Sequence, residues 1–535
     1  MRQLTALDAQ FLNAESATTT THVAGVAILD PARSPGGVVT REALISLLNE
    51  RLHLAPALSL RLVGVPFGLD HPYWEKVTGL DVADHVHEVT LPLPGDEAQL
   101  AQQVARLHER HLDRSRPLWE MHLIQGLTGG RVALYAKVHH CVVDGVTGAE
   151  TMAALLDLTP EPRAAEPPAP ALPAVTPAVT LPAPSSPAST SPSAPAGGAS
   201  ASPAGGGAPG PLAMLAVAAA RSVTHPARAL RALGRMVAHL DAIPVASALP
   251  GARLVAETAR TIAGGPVELP ELPPLSAPRT PFNGPISAGR RFSYGSIPLA
   301  DVRHVARTFG ISLNDVVMTL CASALRAWLR ERDALPGRPL VAAVPVAVRA
   351  ASTGNTGNTG STAETERNAI GNRLSVMVTP MPTNVAAPLD RLRVMGRTMR
   401  AAKRRFAGSP ATWLGELSSL LPAPLTSLAT PALFRLASIT MPPINLIVSN
   451  VPGPQLPLYL CGARLLAYHP VSALSDVSGG LNITCFSYDG SLDFGVLACP
   501  GRVDDVWRLM GHLQEAMDEL TELAGPRPAR QMVNA

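Results

Sequence analysis

RVALYAKVHHCVVDG, residues 131–145, decides the reading of this 535-residue chain. Val132–Val138 is an apolar run after a Gly129-Gly130 turn, and it reads as a strand. Two histidines, His139 and His140, stand where it ends, and Asp144-Gly145 follows. Thr147 and Glu150 then have capping-box spacing and open a helix to about Leu158. Strand, polar turn and capped helix is the local pattern of an α/β fold, in which active-site groups collect at strand ends. Successive side chains leaving a strand point in different directions. One histidine can therefore face a cleft while its neighbour packs inward. A neutral imidazole is the usual base for taking a proton from a hydroxyl or thiol at neutral pH. Asp144 lies on the same turn, where its expected work is to pair with an arginine and hold the loop. Gly145 lets the backbone turn sharply. A metal site wants three or four ligands, and no H-E-x-x-H or cysteine cluster supplies them, so no metal is expected. Cys141 is a nucleophile only if its thiol faces the cleft, and its position turns it away.

Working outward, the first 160 residues alternate strands and helices. His22–Leu29 and Met121–Gln125 read as strands, and Thr40–Leu52 and Leu100–Leu112 as helices, with Thr40 as a cap and Glu42 in the first turn. Residues 161–211 form a linker. Between Pro167 and Gly210 there is no charge and no aromatic, and 12 of these 44 residues are proline. Such a composition cannot bury enough apolar surface to offset chain entropy, so it is expected to be disordered or extended. Its GGGAPG (205–210) matches G-x-G-x-x-G formally, but no strand precedes it and no helix follows. Residues 212–525 form the second part. Ala/Arg-rich helices lie around Leu212–Leu240, and later helices at Leu299–Phe309, Ser312–Arg330 and Gly501–Leu523. Its strands are expected at Arg291–Ile297, Leu340–Val348, Ser375–Val378, Asn445–Ser449 and Leu481–Tyr488. Residues 526–535 are a tail. Two parts that both mix α and β make a two-lobed α/β protein the natural expectation.

Composition narrows the function. Hydrophobic residues make up 46% and charged ones 16%, with a net charge of +3. That balance excludes a dedicated nucleic-acid binder. Five cysteines without a C-x-x-C pair suit free thiols in a reducing compartment. Asp8 interrupts the N-terminus before an apolar signal core forms, and no apolar run reaches the roughly 18 residues of a spanning helix. Leu417–Phe434 is greasy and uncharged but broken by Pro422, Pro424 and Pro431, so the chain is expected to rest on membranes without crossing them. No G-x-S-x-G is present, against a serine hydrolase, and Asp493-Phe494-Gly495 lacks every other kinase element. Asp390–Arg405 carries seven basic residues and one acid, and Arg393, Arg397, Arg400 and Arg404 share a helix face. That face is either simply solvated or a phosphate contact.

The pattern H-H-x-x-x-D-G resembles that of the chloramphenicol-acetyltransferase-like and condensation-domain superfamily. Other segments resemble the bacterial wax ester synthase/diacylglycerol acyltransferases more narrowly: Leu7-Asp8 with Phe11-Leu12, Glu15 and His22-Val23; Pro117-Leu118-Trp119; Phe282-Asn283-Gly284-Pro285; Asn314-Asp315-Val316-Val317; Val344-Pro345-Val346 with Arg349; Gly371-Asn372; and Ser449-Asn450-Val451-Pro452-Gly453-Pro454. They keep the family's order across nearly the whole chain outside the linker and the Ser352–Thr362 loop. The resemblance implies two chloramphenicol-acetyltransferase-like lobes with the active site and a substrate tunnel at their interface. It implies an O-acyltransferase that uses long-chain acyl-CoA as a substrate, without a cofactor, and diacylglycerol or a long-chain alcohol as acceptor. The Nε2 of His140 would be the base, with His139, Asp144 and Gly145 completing the motif. Pro117-Leu118-Trp119 is expected to be a packing turn, and Asn314-Asp315 to cap the following helix while bracing the cleft. Ser449 and Asn450 are either an ordinary turn or donors to an oxyanion. Arg397, Arg400 and Arg404 would meet the phosphates of coenzyme A or of anionic lipid. The expected setting is cytoplasmic, at a membrane or lipid-droplet surface. The rival readings are a carrier-dependent condensation enzyme, which would want a neighbouring carrier domain, and a non-catalytic lipid-binding protein, which an intact histidine motif opposes.

Overall fold

The computed structural model describes residues 2–142, 154–161, 210–237, 277–347, 374–407, 422–440 and 442–526, with residues 151, 163 and 418. Asp144, Gly145, the Thr147…Glu150 capping box, the Pro/Ala linker, the Ser352–Thr362 loop and the tail lie outside the described residues. The first part runs β1 (Arg2–Gln3), α1 (Ala6–Asn13), β2 (His22–Asp30), α2 (Arg41–Arg51), β3 (Leu60–Val63), β4 (Tyr73–Lys76), β5 (Val86–Thr90), α3 (Glu97–His108), β6 (Trp119–Leu127) and β7 (Arg131–His139). The second part runs α4 (Pro211–Val237), β8 (Arg291–Pro298), α5 (Leu299–Thr308), α6 (Leu313–Arg330), β9 (Leu340–Ala347), β10 (Leu374–Met381), α7 (Pro388–Ala407), α8 (Ala423–Thr440), β11 (Leu446–Pro452), β12 (Tyr459–Leu460), β13 (Ala463–Val471), β14 (Leu481–Tyr488), β15 (Ser491–Ala498) and α9 (Val506–Ala524).

Helix starts follow side-chain chemistry. Thr40 caps α2 by accepting from the Ala43 amide. Asp96 and Gln99 form a capping box on α3, and Ser312 and Asp315 one on α6. Each satisfies two amides that have no partner inside the helix.

Two six-stranded sheets organise the molecule, with a small β1-β4-β3 sheet beside them. The first is ordered β12-β13-β2-β7-β6-β5 and the second β10-β9-β11-β14-β15-β8. The first sheet is not built by one part of the chain alone. β13 pairs antiparallel with β2 over Arg464–Val471, so residues from beyond the linker complete the N-terminal sheet. One face of that sheet buries Leu29, Met121, Leu123 and Leu134 with Leu44 and Leu48 of α2. Its other face buries Val26, Ile28, Ile124 and Tyr135 with Leu100 and Val104 of α3, and with Phe292, Tyr294 and Leu497 of the second sheet. The two lobes are thus joined by a shared apolar core as well as a shared strand. In the second lobe α6 is almost wholly buried, with Val316, Leu320, Leu325 and Trp328 packed among residues of α5, α7, α9 and the sheet. Among the described residues no single helix is long and apolar enough to cross a membrane.

Candidate active site

The two motif histidines are fixed by their neighbours on both sides. The His139 amide donates to the Leu118 carbonyl at 3.0 Å, and the His140 amide to the Thr21 carbonyl at 2.9 Å. The turn then closes from the Val142 amide to the His139 carbonyl at 3.0 Å. Leu118 does this from within Pro117-Leu118-Trp119. There the Trp119 ring is buried, stacks on His85 with centroids 4.4 Å apart, and donates from Nε1 to the Leu58 carbonyl at 2.8 Å. The segment is a packing turn that also anchors the strand end carrying the histidines.

From this turn the rings part. His139 is buried, and its Nδ1 accepts from the Cys141 amide at 3.1 Å. A neutral imidazole carries one proton, so that proton sits on Nε2. Nε2 lies 3.0 Å from Thr21 Oγ1 and 3.3 Å from Glu15 Oε1. The Thr21 hydroxyl donates to the Phe11 carbonyl at 2.8 Å, which leaves its lone pair to accept from His139. Glu15 Oε1 also lies 3.3 Å from His22 Nε2, and Oε2 takes Arg114 Nη2 at 2.6 Å. Burial alone would raise the Glu15 carboxyl. Hydrogen bonds from His139 and His22, with Arg114, outweigh burial and hold it far below the usual carboxylate range. Burial pushes His22 down to about 4, so it is neutral at physiological pH.

Glu15, His22 and His139 bring three ligand atoms close enough to hold a metal ion. The tautomer argues against it. With the Cys141 amide on Nδ1, the His139 Nε2 carries a proton and offers no lone pair to a cation. The cluster is a hydrogen-bonded anchor.

His140 is only half-buried. Its ring stacks on Phe11 of α1, centroids 4.1 Å apart and planes within 4°. Cys141 is buried, and burial pushes its thiol well above the ordinary value, which removes it as a nucleophile.

The second-lobe candidates form a separate cluster. Asn450 Nδ2 donates to Asn314 Oδ1 at 3.1 Å, and Cys485 Sγ contacts Asn450 Oδ1 at 3.4 Å. The cap of α6 is Ser312 and not the expected Asn314-Asp315: both lie inside the first turn, where buried Asp315 completes the box by accepting from the Ser312 amide at 3.1 Å. Ser449 and Asn450 are half-buried on β11, opposite Thr484 and Cys485 of β14. From β14 two hydrogen bonds and two ring contacts lead toward the histidines. Thr484 Oγ1 meets Ser472 Oγ at 2.9 Å, and the Ser472 carbonyl meets His108 Nε2 at 3.1 Å. The His108 ring lies edge-on to His22, 6.5 Å between centroids, and His22 lies against His139 at 5.6 Å. Asn283 braces the lobe from within, accepting from Asn445 Nδ2 at 2.8 Å, while Phe282 packs on Trp328. Arg397, Arg400 and Arg404 are exposed on α7, without an ion-pair partner among the described residues. Lys403, between Arg400 and Arg404 in sequence and at the side of that face, lies 3.9 Å from Asp315 Oδ1 and sets the end of α7 against the start of α6.

Sequence reading gave Phe11, Glu15 and His22 no role of their own. The available signal was register: if His22–Leu29 and Val132–Val138 are neighbouring strands, His22 falls opposite His139, as it does.

A paired-histidine turn at the end of a central strand, in a fold of two mixed sheets flanked by helices, is the arrangement of the acyltransferase class that the motif resembles. The match is narrower than that class. The wax ester synthase/diacylglycerol acyltransferase catalytic domain model matches residues 4–317, and the C-terminal domain model of the same family matches residues 370–521. The chain belongs to this family. It is 32% identical to a putative diacylglycerol O-acyltransferase of Mycobacterium tuberculosis, over 99% of this chain and 92% of that protein. It is 30% identical to a probable diacylglycerol O-acyltransferase of the same organism, over 97% and 98%. Among solved structures it is similar to the wax ester synthase/diacylglycerol acyltransferase from Marinobacter aquaeolei VT8, at 26% identity and a TM-score of 0.61, over 98% of this chain and all of that one.

Proposed function

We propose that this protein transfers a long-chain acyl group from coenzyme A to the free hydroxyl of diacylglycerol, with long-chain alcohols as second acceptors. The observation that carries the assignment is the division between the two histidines. His139 is spent on the Glu15–Thr21 anchor, whereas the His140 ring stays half-open against Phe11. His140 Nε2 takes the acceptor's hydroxyl proton as the oxygen bonds to the thioester carbon. The carbonyl electrons move to oxygen, and the resulting anion is met by donors for which Asn450 and Ser449 are the candidates. The carbonyl then re-forms, the C–S bond breaks, and the thiolate takes the proton back from the imidazolium. No acyl-enzyme forms, so both substrates are bound together.

The phosphates of coenzyme A are assigned to the exposed face of α7. Arg397, Arg400 and Arg404 lie on it, and Lys403 ties its last turn to the start of α6, where Asn314 meets Asn450. Thiol release from palmitoyl-CoA, measured with dioleoylglycerol and with hexadecanol, tests the reading. Acceptor-dependent release with initial rates of sequential form is expected; release that ignores the acceptor overturns it. Replacing Arg397, Arg400 and Arg404 by Gln should raise KM for palmitoyl-CoA in detergent several-fold. An unchanged KM removes the phosphate assignment.

A further inference from the structure

Helix α8 is built inside out. Its buried positions include Thr426, Thr430 and Ser438, while Leu425, Leu433, Leu436 and Ile439 are each more than half exposed. Positions 425, 433, 436 and 439 fall on one stripe of a helix, near 21 Å long at 1.5 Å per residue. A helix on a water-facing surface turns its apolar stripe to the core and its polar residues outward. Here the inward hydroxyls are used. Thr430 Oγ1 donates to Gln10 Oε1 of α1 at 3.1 Å, and Asn13 Nδ2 donates to Thr426 Oγ1 at 3.5 Å. Arg279 holds the far end through the Ile439 and Thr440 carbonyls at 3.2 and 3.1 Å. The orientation is therefore fixed by polar bonds, and the leucines are held out by the same bonds.

Two observations say what covers this stripe. It contains no acid and no lysine, only Arg435 at one edge, so it offers nothing for a charged protein surface to pair with. It is also aliphatic: Phe434, the aromatic of the helix, is turned half inward. The second observation is position. α8 rests on α1, and α1 carries Phe11, whose ring stacks on His140. One helix separates the outward leucines from the ring assigned as base.

We infer that the outer face of α8 docks the protein on a lipid surface, and that the water-insoluble acceptor reaches His140 past α1 from that side. The acceptor route rests on the acyl-transfer reading; the docking does not. Acyl-CoA then enters at α7 and the acceptor at α8, so the two substrates come from different phases.

Flotation with phosphatidylcholine vesicles containing dioleoylglycerol tests this on the full chain. The unchanged protein should float. The triple variant Leu433→Ser, Leu436→Ser and Ile439→Ser should lose at least tenfold in vesicle partitioning and several-fold in rate on vesicle-borne dioleoylglycerol. Its rate on a dissolved acceptor such as hexanol, and its melting temperature, should hold. Leu93→Ser changes an exposed leucine outside α8 and should leave flotation untouched. Unchanged flotation of the triple variant overturns the inference. So does a drop from dimer to monomer in light scattering with flotation unchanged, which assigns the face to a second copy. Loss of flotation without thiol release from any acceptor keeps the docking and fails the catalytic reading alone.

Discussion

His139 and His140 are adjacent, and their environments predict opposite variants. His140→Ala removes the half-buried ring proposed as the base. Turnover should fall by roughly 10²–10⁴ with the melting temperature nearly unchanged, as general-base removal does. His139→Ala strips a buried donor from Glu15 and Thr21, and an unsatisfied buried group costs about 1–3 kcal/mol. Thermal melts should therefore separate the two variants as cleanly as kinetics. Glu15→Gln keeps an acceptor for His139 but loses the charge that pairs with Arg114. Its kcat should drop less than that of His140→Ala, while KM for acyl-CoA stays put. A rise in KM alone would put Glu15 on the substrate path and not behind the histidines. The motif was legible in the sequence because its spacing is local. Glu15 was not, because its role arises only when residues 15, 22, 114 and 139 meet through strand pairing.

At the scale of elements, β15 carries a buried acid that the reaction does not use. Asp493 accepts from Ser296 Oγ at 2.6 Å and from the Tyr468 amide at 2.8 Å, with no ion-pair partner among the described residues. Burial raises it to about 6, and these two bonds only partly offset that. The unfolded carboxyl titrates near 3.9. A raised acid contributes full stability below the unfolded value, and this is lost as pH rises through 6. The chain thus gives up at most about 3 kcal/mol at neutral pH for ionising this group, at 1.36 kcal/mol per unit. Asp493→Asn should melt higher than the unchanged protein at pH 7.5, with the gain shrinking toward pH 4.5; a pH-independent difference would show that packing and not ionisation was altered. The same strands show where sequence reading stops. β6 and β7 were legible from apolar runs around Gly129-Gly130, and α2 from Thr40; α6 was legible as a helix, but its cap is Ser312 and not the expected Asn314-Asp315. β13 was missed because its hairpin partner β12 is only two residues long, its full-length neighbour β2 lies more than 400 residues earlier in the chain, and Pro470 interrupts its pattern. α3 was placed three residues late because the Asp96–Gln99 box was overlooked.

For the whole molecule, the shared sheet sets what the linker can and cannot do. Both of its flanks are tied down independently. Asp157, on the near side, forms a buried ion pair with Arg51 at 2.9 Å and exchanges backbone bonds of 2.8 Å with Tyr459 of β12. On the far side Met214 and Ala218 of α4 pack on Val65 and Tyr73. With both flanks anchored, the covalent tether adds only loop-closure entropy, which changes by about 0.6 kcal/mol per doubling of length. Deleting half of Pro167–Gly210 should keep activity within about twofold. Cutting it should be tolerated as well: with a protease site placed in the segment, the nicked protein should retain activity and elute as one species until denaturant separates the pieces. The isolated first piece should behave differently. Without β13, the β2 edge is a long apolar strand with unpaired amides, a template for aggregation. It also loses the Phe292, Tyr294 and Leu497 side of its core. Residues 1–166 expressed alone should be insoluble, and co-expression with residues 211–535 should restore both solubility and thiol release. A soluble, cooperatively melting 1–166 would mean that the first sheet is complete without its borrowed strand.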